Sequence, residues 1–251
     1  MSTLLRDLNK LYTIPVTFGC EIEFYTKKNI GLESISSVIP EYSFIKERGG
    51  NQYEYHIGPH EDPQRIIKEV NNSIKLIKQR LKDKENKAIF DPKPFDQDFG
   101  NALQIQLTSL CPKFQNNIDK ICSSFCESAK ETFLAYAQTK ADYARFDKKF
   151  MTPTHICFGP NNRSAMIRIC GTKAKRIEIR TPSPISNLDI VFCTIIQQII
   201  LSDLVGTQKF ARIYGNASDE QYGLQKIPSN IEEASNLFDE GFYKKIIDKL
   251  S

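Results

Sequence analysis

A chain of 251 residues with 40% hydrophobic and 25% charged residues is long enough to bury a substantial core, and one large domain over 1–251 is the default expectation. Its formal charge of +4 falls short of the dense Lys/Arg stripes of a nucleic-acid binder and suits a phosphorylated or carboxylate ligand. Its seven cysteines form no CxxC pair and have no His-rich neighbouring segment, which excludes a zinc module and a disulfide scaffold.

From the N-terminus, MSTLLRDLNK carries charges where a signal peptide would be apolar. Val16 to Tyr25 is rich in strand formers, with Glu21 and Glu23 on one side and Ile22 and Phe24 on the other, the alternation of a half-buried strand. A short helix is predicted over Glu33 to Val38, ended by Pro40. Tyr42 to Lys46 and Gln52 to Ile57 then read as two strands joined through Gly49, Gly50 and Asn51. The following HIGPH reads as a turn with two surface imidazoles, His56 and His60.

After Pro63, apolar residues recur at helical spacing through a lysine-rich face, predicting a long amphipathic helix over 63–84 whose charged side is solvated. Leu103, Ile105 and Leu107 alternate with Gln104, Gln106 and Thr108 in another strand, and a helical stretch is predicted over about Asn116 to Ala144. Cys122 and Cys126, one helical turn apart within it, read as packing residues. Three short strand patterns occupy His155 to Arg180, and His155 reads as a core or edge histidine. Helices are predicted over 188–205 and 230–248. The longest apolar run, Ile190 to Val205, is broken by Gln197, Gln198, Ser202 and Asp203, so no membrane span is expected and a cytoplasmic protein with reduced thiols is. This order of elements predicts an α+β fold built on a curved, mostly antiparallel sheet.

Carboxylates two residues apart on a strand project about 7 Å apart on one face and can serve one hard cation. Glu21 and Glu23 do so, Glu47 and Glu54 flank the Gly-Gly-Asn turn, and Glu178 lies on a later strand. Were these acids to converge, their repulsion would call for divalent ions such as Mg2+ or Mn2+. Arg163, Arg168, Lys173, Lys175, Arg176 and Arg180 crowd into eighteen residues. Arginines sent into the same cavity would clamp phosphate or carboxylate oxygens.

The order of GCEIEFY at 19–25, GGNQYE at 49–54, GNALQIQLTS at 100–109, TPTHICFGPNNRSAMIRI at 152–169 and KAKRIEIRTPSPISN at 173–187 resembles the signature segments of the glutamine synthetase catalytic domain. The closing IPSNIEEASNLFDEGFYKKII is similar to that family's C-terminal helical region. The resemblance implies a glutamine synthetase/guanido kinase-like sheet with ATP entering one end of a cavity, the acid substrate the other, and two metal ions between. It would place Glu23, Glu47 and Glu54 on the acid-side metal, and Glu21, Glu178 and Gln104 on the nucleotide-side metal. Arg163, Arg168 and Arg180 would act on the transferring group. Arg163, Arg168, Lys173, Arg176 and Ser109 would lie along the nucleotide, and Arg145 and Arg180 would hold the acid substrate. The implied activity is that of an ATP-dependent carboxylate-amine ligase working through an acyl phosphate on small-molecule carboxylate and amine substrates.

Four departures from the family pattern bear on this expectation. Its HxH segment here reads Gln104 and Gln106. Its flap glutamate, which handles ammonium, is replaced by Met151. Only about fifteen residues precede the first strand, so the N-terminal β-grasp domain is expected to be missing, and the segments between Glu23 and Glu47 and around 214–227 are short. Retained phosphoryl-transfer residues beside an absent ammonium apparatus point to a ligase for another amine. Open alternatives are a nucleotide- and metal-binding pseudoenzyme that regulates a full-length synthetase, and a phosphoryl-transferring relative such as a guanidino kinase. The corresponding assembly would be a homo-oligomer or an association with another synthetase chain.

Overall fold

The computed structural model describes residues 14–204, 210–239 and 242. An eight-stranded sheet runs in the order β2-β3-β1-β5-β8-β7-β6, with β4 beside one end of β1. Its strands are β1 (Thr17–Thr26), β2 (Phe44–Lys46), β3 (Gln52–His60), β4 (Ala88–Ile89), β5 (Leu103–Thr108), β6 (Phe158–Pro160), β7 (Ile167–Cys170) and β8 (Arg176–Ile179). Every pairing is antiparallel except β6 with β7.

Register divides the sheet into two chemically distinct faces. On one, Cys20 lies opposite Ile57 and Ile105, Ile22 opposite Tyr55 and Leu103, Ile105 opposite Ile179, and Ile179 opposite Ile167. Because side chains alternate, the other face carries the residues between them. There Glu23 lies opposite Glu54, Glu21 opposite His56 and Gln104, Gln106 opposite Glu178, and Glu178 opposite Arg168.

Helices α1 (Leu32–Val38) and α2 (Pro63–Lys82) follow the predicted spans closely. Asp62 caps α2 by accepting the Gln64 N–H at 2.9 Å, Pro63 supplies a preset first turn, and Ile66, Val70, Ile77 and Leu81 are buried along one stripe. That stripe meets β1, β3 and α7 (Leu188–Leu204). The Phe18 and Phe192 rings lock β1 to α7 edge-to-face at 5.5 Å. Phe192→Ala should therefore cost about 3–5 kcal/mol of unfolding free energy, checked by a lower denaturant midpoint at unchanged slope.

The helix expected over 116–144 is four segments: α3 (Pro112–Asn116), α4 (Ile118–Glu127), α5 (Ala129–Tyr136) and α6 (Lys140–Tyr143). Asn117 leaves helical geometry at φ −107°, and Ser128 breaks the next junction at φ −91°, ψ 5° with its hydroxyl turned back to the Ser124 carbonyl at 2.8 Å. Ala137 is extended, and a Thr139–Asp142 capping box restarts the chain as α6. Helix α8 covers Ile231–Leu237 and stops where Phe238 turns extended. The rest of the helix expected to 248 lies almost entirely outside the described residues, as does residue 205 of the preceding one.

HIGPH is not a surface turn. It completes β3 and contains a bulge, since Cys20 pairs with Ile57 but Phe18 pairs with His60. Gly58 there has φ +89°, and a Cβ on it would lie 2.7 Å from the Phe18 carbonyl oxygen, so the bulge needs glycine. The bulge separates the two histidines. His60 turns to Glu69 of α2 at 2.8 Å, while His56 stays on the polar face of the sheet.

Candidate active site

Glu23 sits centrally on the polar face. One carboxylate oxygen accepts the Ala102 N–H at 2.8 Å and the Gln52 amide at 3.4 Å, and the other accepts the Gln104 amide at 2.9 Å. Glu21 accepts from the Gln106 amide, whose carbonyl oxygen in turn accepts from Arg176 Nε. The two β5 glutamines thus turn their N–H ends to the carboxylates, where Gln104 was expected to offer a carbonyl oxygen to a metal.

Electrostatics on this face are unfavourable to its own charges. Burial, then the charges of Glu54 and Glu178, pushes the Glu21 carboxyl up to about 7. Burial, then Glu54, pushes Glu23 up to about 8 against the lowering effect of the Ala102 N–H. Glu47 is raised by burial and by Glu54. His56 Nε2 lies 2.9 Å from Glu54 Oε1, and this contact raises the imidazole above its ordinary value.

Farther along the row, Glu178 is 1% exposed and accepts Arg168 Nη1 at 3.0 and 3.4 Å and the Cys170 thiol at 3.4 Å. Arg180 Nε stands 3.6 Å from the same carboxylate. Several cationic N–H groups here are buried without an acceptor: Arg168 Nε, Arg180 Nε and Nη1, and Arg145 Nε. Burial lowers the Arg180 guanidinium and holds that of Arg145 down at about 10. Buried donors lacking acceptors are costly in a folded protein, and two such forks, Arg145 and Arg180, line one cavity with Arg168 behind them against Glu178, an arrangement that suits anionic oxygens.

That cavity is lined by Glu23, Glu47, Gln104, Arg145, Arg163 and Arg180, and closed on one side by Phe99, Phe150, Met151 and Pro153. Met151 follows a 3₁₀ turn at Lys148–Phe150 and is held left-handed at φ 54°. Its sulfur lies 3.5 Å from Arg48 Nη1. Arg145 is almost wholly buried, its Nη2 donating to the carbonyls of Arg180, Thr181 and Pro182. Arg163 is exposed at the wall.

Two sequence candidates, Lys173 and Ser109, stand apart from both this cavity and the polar face beside it. Lys173 is exposed in the loop between β7 and β8. Ser109 lies one residue past β5, its hydroxyl accepting the Cys111 N–H at 3.1 Å as α3 begins.

The family model for the glutamine synthetase catalytic domain matches residues 28–249. The chain belongs to that family. The match starts past Glu21 and Glu23, so the place of those two in the glutamine synthetase-like site rests on the register of β1 between β3 and β5. Among curated relatives, the glutamine synthetase of Sulfolobus acidocaldarius is 25% identical over 244 residues, covering 83% of this chain and 50% of that protein. That of Aquifex aeolicus is 30% identical over 112 residues, covering 41% of this chain and 24% of that one. The chain thus spans about half or less of the length of these relatives. Two solved structures share the fold: apo GmaS, with a TM-score of 0.80 at 16% identity over 97% of this chain and 67% of that one, and GmaS with ADP, at 0.78 and 17% over 99% and 72%. The fold is accordingly α+β and glutamine synthetase-like, and the family is one of ligases.

The residues present fit the divalent ions that the glutamine synthetase family implies. Glu21, Glu54 and His56 present ligand atoms all within 4.8 Å of one another, and Glu21 and Glu23 face burial with only amide donors at hydrogen-bond distance. Oxygen-rich, partly buried carboxylates of this kind are suited to hard cations. The sequence pattern missed His56, because Gly58-Pro59 reads as a turn. The alternation Glu54, His56 along one strand is the signal that could have placed it.

Proposed function

We propose that the chain is an ATP- and divalent-metal-dependent ligase that joins an amine other than ammonium to a carboxylic acid through an acyl phosphate. The observation that carries this reading is the polar face of the sheet that extends from Glu54 on β3 to Arg168 on β7. Raised carboxyls at one end adjoin buried arginine N–H groups without acceptors at the other. Glu23, Glu47 and Glu54 would hold a cation beside the acid substrate, and Glu21 and Glu178 one beside the nucleotide. Such ions would neutralise charge on the transferring phosphoryl group.

Arg168 and Arg180 would offer their unpartnered N–H groups to phosphoryl oxygens, and Arg145, which holds the 180–182 turn, would flank the acid substrate. The acid's carboxylate oxygen attacks the γ-phosphorus and ADP departs. The amine nitrogen then attacks the acyl carbon and phosphate departs. With Met151 in place of a flap carboxylate, no side chain there takes a proton from an ammonium ion, and the apolar wall of Phe99, Phe150 and Pro153 suits an amine that carries carbon and arrives neutral.

ADP release and amide formation, followed by mass spectrometry over a panel of acids and amines, tests this. Product is expected only with Mg2+, ATP, acid and amine together, and with an amine other than ammonium. Met151→Glu should raise turnover of ammonium on the order of 10²-fold. Intact Mg2+-ATP binding with no product from any pair would replace this reading with that of a nucleotide-binding regulator, which the loss of the flap carboxylate at Met151 would also suit.

A further inference from the structure

We infer that His56 is a metal ligand, supplying the nitrogen donor of a cation site shared with Glu21 and Glu54. The inference rests on the reading that the acidic face binds divalent ions, and departs from the two-ion division above in one respect: without nucleotide, Glu54 and His56 share the ion of Glu21.

Three observations carry it. The ligand atoms of Glu21, Glu54 and His56 fall within 4.8 Å of one another, the span that one ion bridges. The register fixes them there: Glu21 is paired directly with His56, Glu54 is two residues before His56 on the same face, and the Gly58 bulge ends that face immediately afterwards. Finally, on the facing strand Gln106 gives its N–H to Glu21 and its carbonyl oxygen to Arg176, while Gln104 gives its N–H to Glu23, which leaves His56 as the nitrogen donor beside Glu21 and Glu54.

The other two of the chain's three histidines are used elsewhere. His60 binds Glu69 on α2 at 2.8 Å, and His155 Nδ1 lies 2.9 Å from the Thr154 hydroxyl in a bridge to Lys226. About half of the His56 side chain is open to solvent, which leaves a path for an ion.

An imidazole beside two carboxylates shifts preference from Mg2+ toward borderline ions such as Mn2+ and Co2+. It also gives the proposal an opposite. If His56 were only a cationic partner for Glu54, removing it would free that carboxylate and strengthen cation binding.

The test is Mn2+ binding to the whole chain without nucleotide, by calorimetry and by electron spin-echo modulation. Nitrogen modulation on bound Mn2+ is expected for the unaltered protein, for His60→Ala and for His155→Ala, and lost in His56→Ala. His56→Ala should weaken Mn2+ and Co2+ by about tenfold or more while changing Mg2+ far less. Bound Mn2+ without nitrogen modulation, or tighter Mn2+ in His56→Ala, overturns the assignment of His56 and leaves the ligase reading standing. Absence of any divalent binding to the unaltered chain removes both.

Discussion

Glu178→Ala should lower the unfolding free energy of the metal-free protein by about 3–5 kcal/mol. Glu178 is 1% exposed, and Arg168 and Arg180, at 17% and 11%, lie against it. Removing the carboxylate leaves two guanidinium groups buried with several N–H groups already lacking acceptors. The loss comes from stranded charge more than from the net worth of the ion pair, so a second change should reverse much of it. Arg168→Met combined with Glu178→Leu is expected to recover most of the stability while ending nucleotide binding. Urea unfolding of the three proteins reads this directly, and a single-variant loss under about 1 kcal/mol would show that the arginines are not held by this carboxylate.

The second large effect is a linkage between cations and protons. Glu21 and Glu23 are raised to about 7 and 8 from an ordinary 4.5, so the metal-free fold keeps protons that an unfolded chain gives up. Their stabilising contribution is complete below about 4.5 and is lost as pH rises through 7 and then 8. Metal-free protein should melt at lower temperature at pH 8.5 than at pH 6. Cations held by Glu21 and by Glu23 need those carboxylates ionised, so binding should release protons, and apparent affinity should climb over the same interval. Calorimetry of Mn2+ in buffers of different ionisation enthalpy measures that release. Glu23→Gln should stabilise the metal-free protein at pH 8.5 and reduce, without abolishing, the thermal shift produced by Mn2+, since Glu21, Glu54 and His56 remain. Equal melting of Glu23→Gln and the unaltered chain at that pH would contradict the burial of an ionised Glu23.

Much of this was legible in the residues because strand alternation is plain in them. Period two through GCEIEFY and LQIQLT separates acids and glutamines from core residues, and β1 and β5 form with that separation intact. What escaped were features set by partners distant in sequence. His56, just ahead of a bulge that resembles a turn, is aligned by Glu21 of β1. Ser128 breaks a helix through one hydroxyl, and the two residues of β4 are too few to show a period. Glutamine orientation is likewise tertiary: whether Gln104 presents its oxygen or its nitrogen depends on Glu23 across the strand gap.

The separation of the two faces also bears on how strands find their partners. A slip of β1 by one residue would drive Glu21 and Glu23 under α2 and α7 while turning Cys20, Ile22 and Phe24 to water. Desolvating two uncompensated carboxylates makes that mispairing prohibitive during assembly. The acids thus serve as proofreaders of sheet alignment before any ligand arrives, and replacing them wholesale with apolar residues would erase the one feature that distinguishes correct pairing from its nearest error.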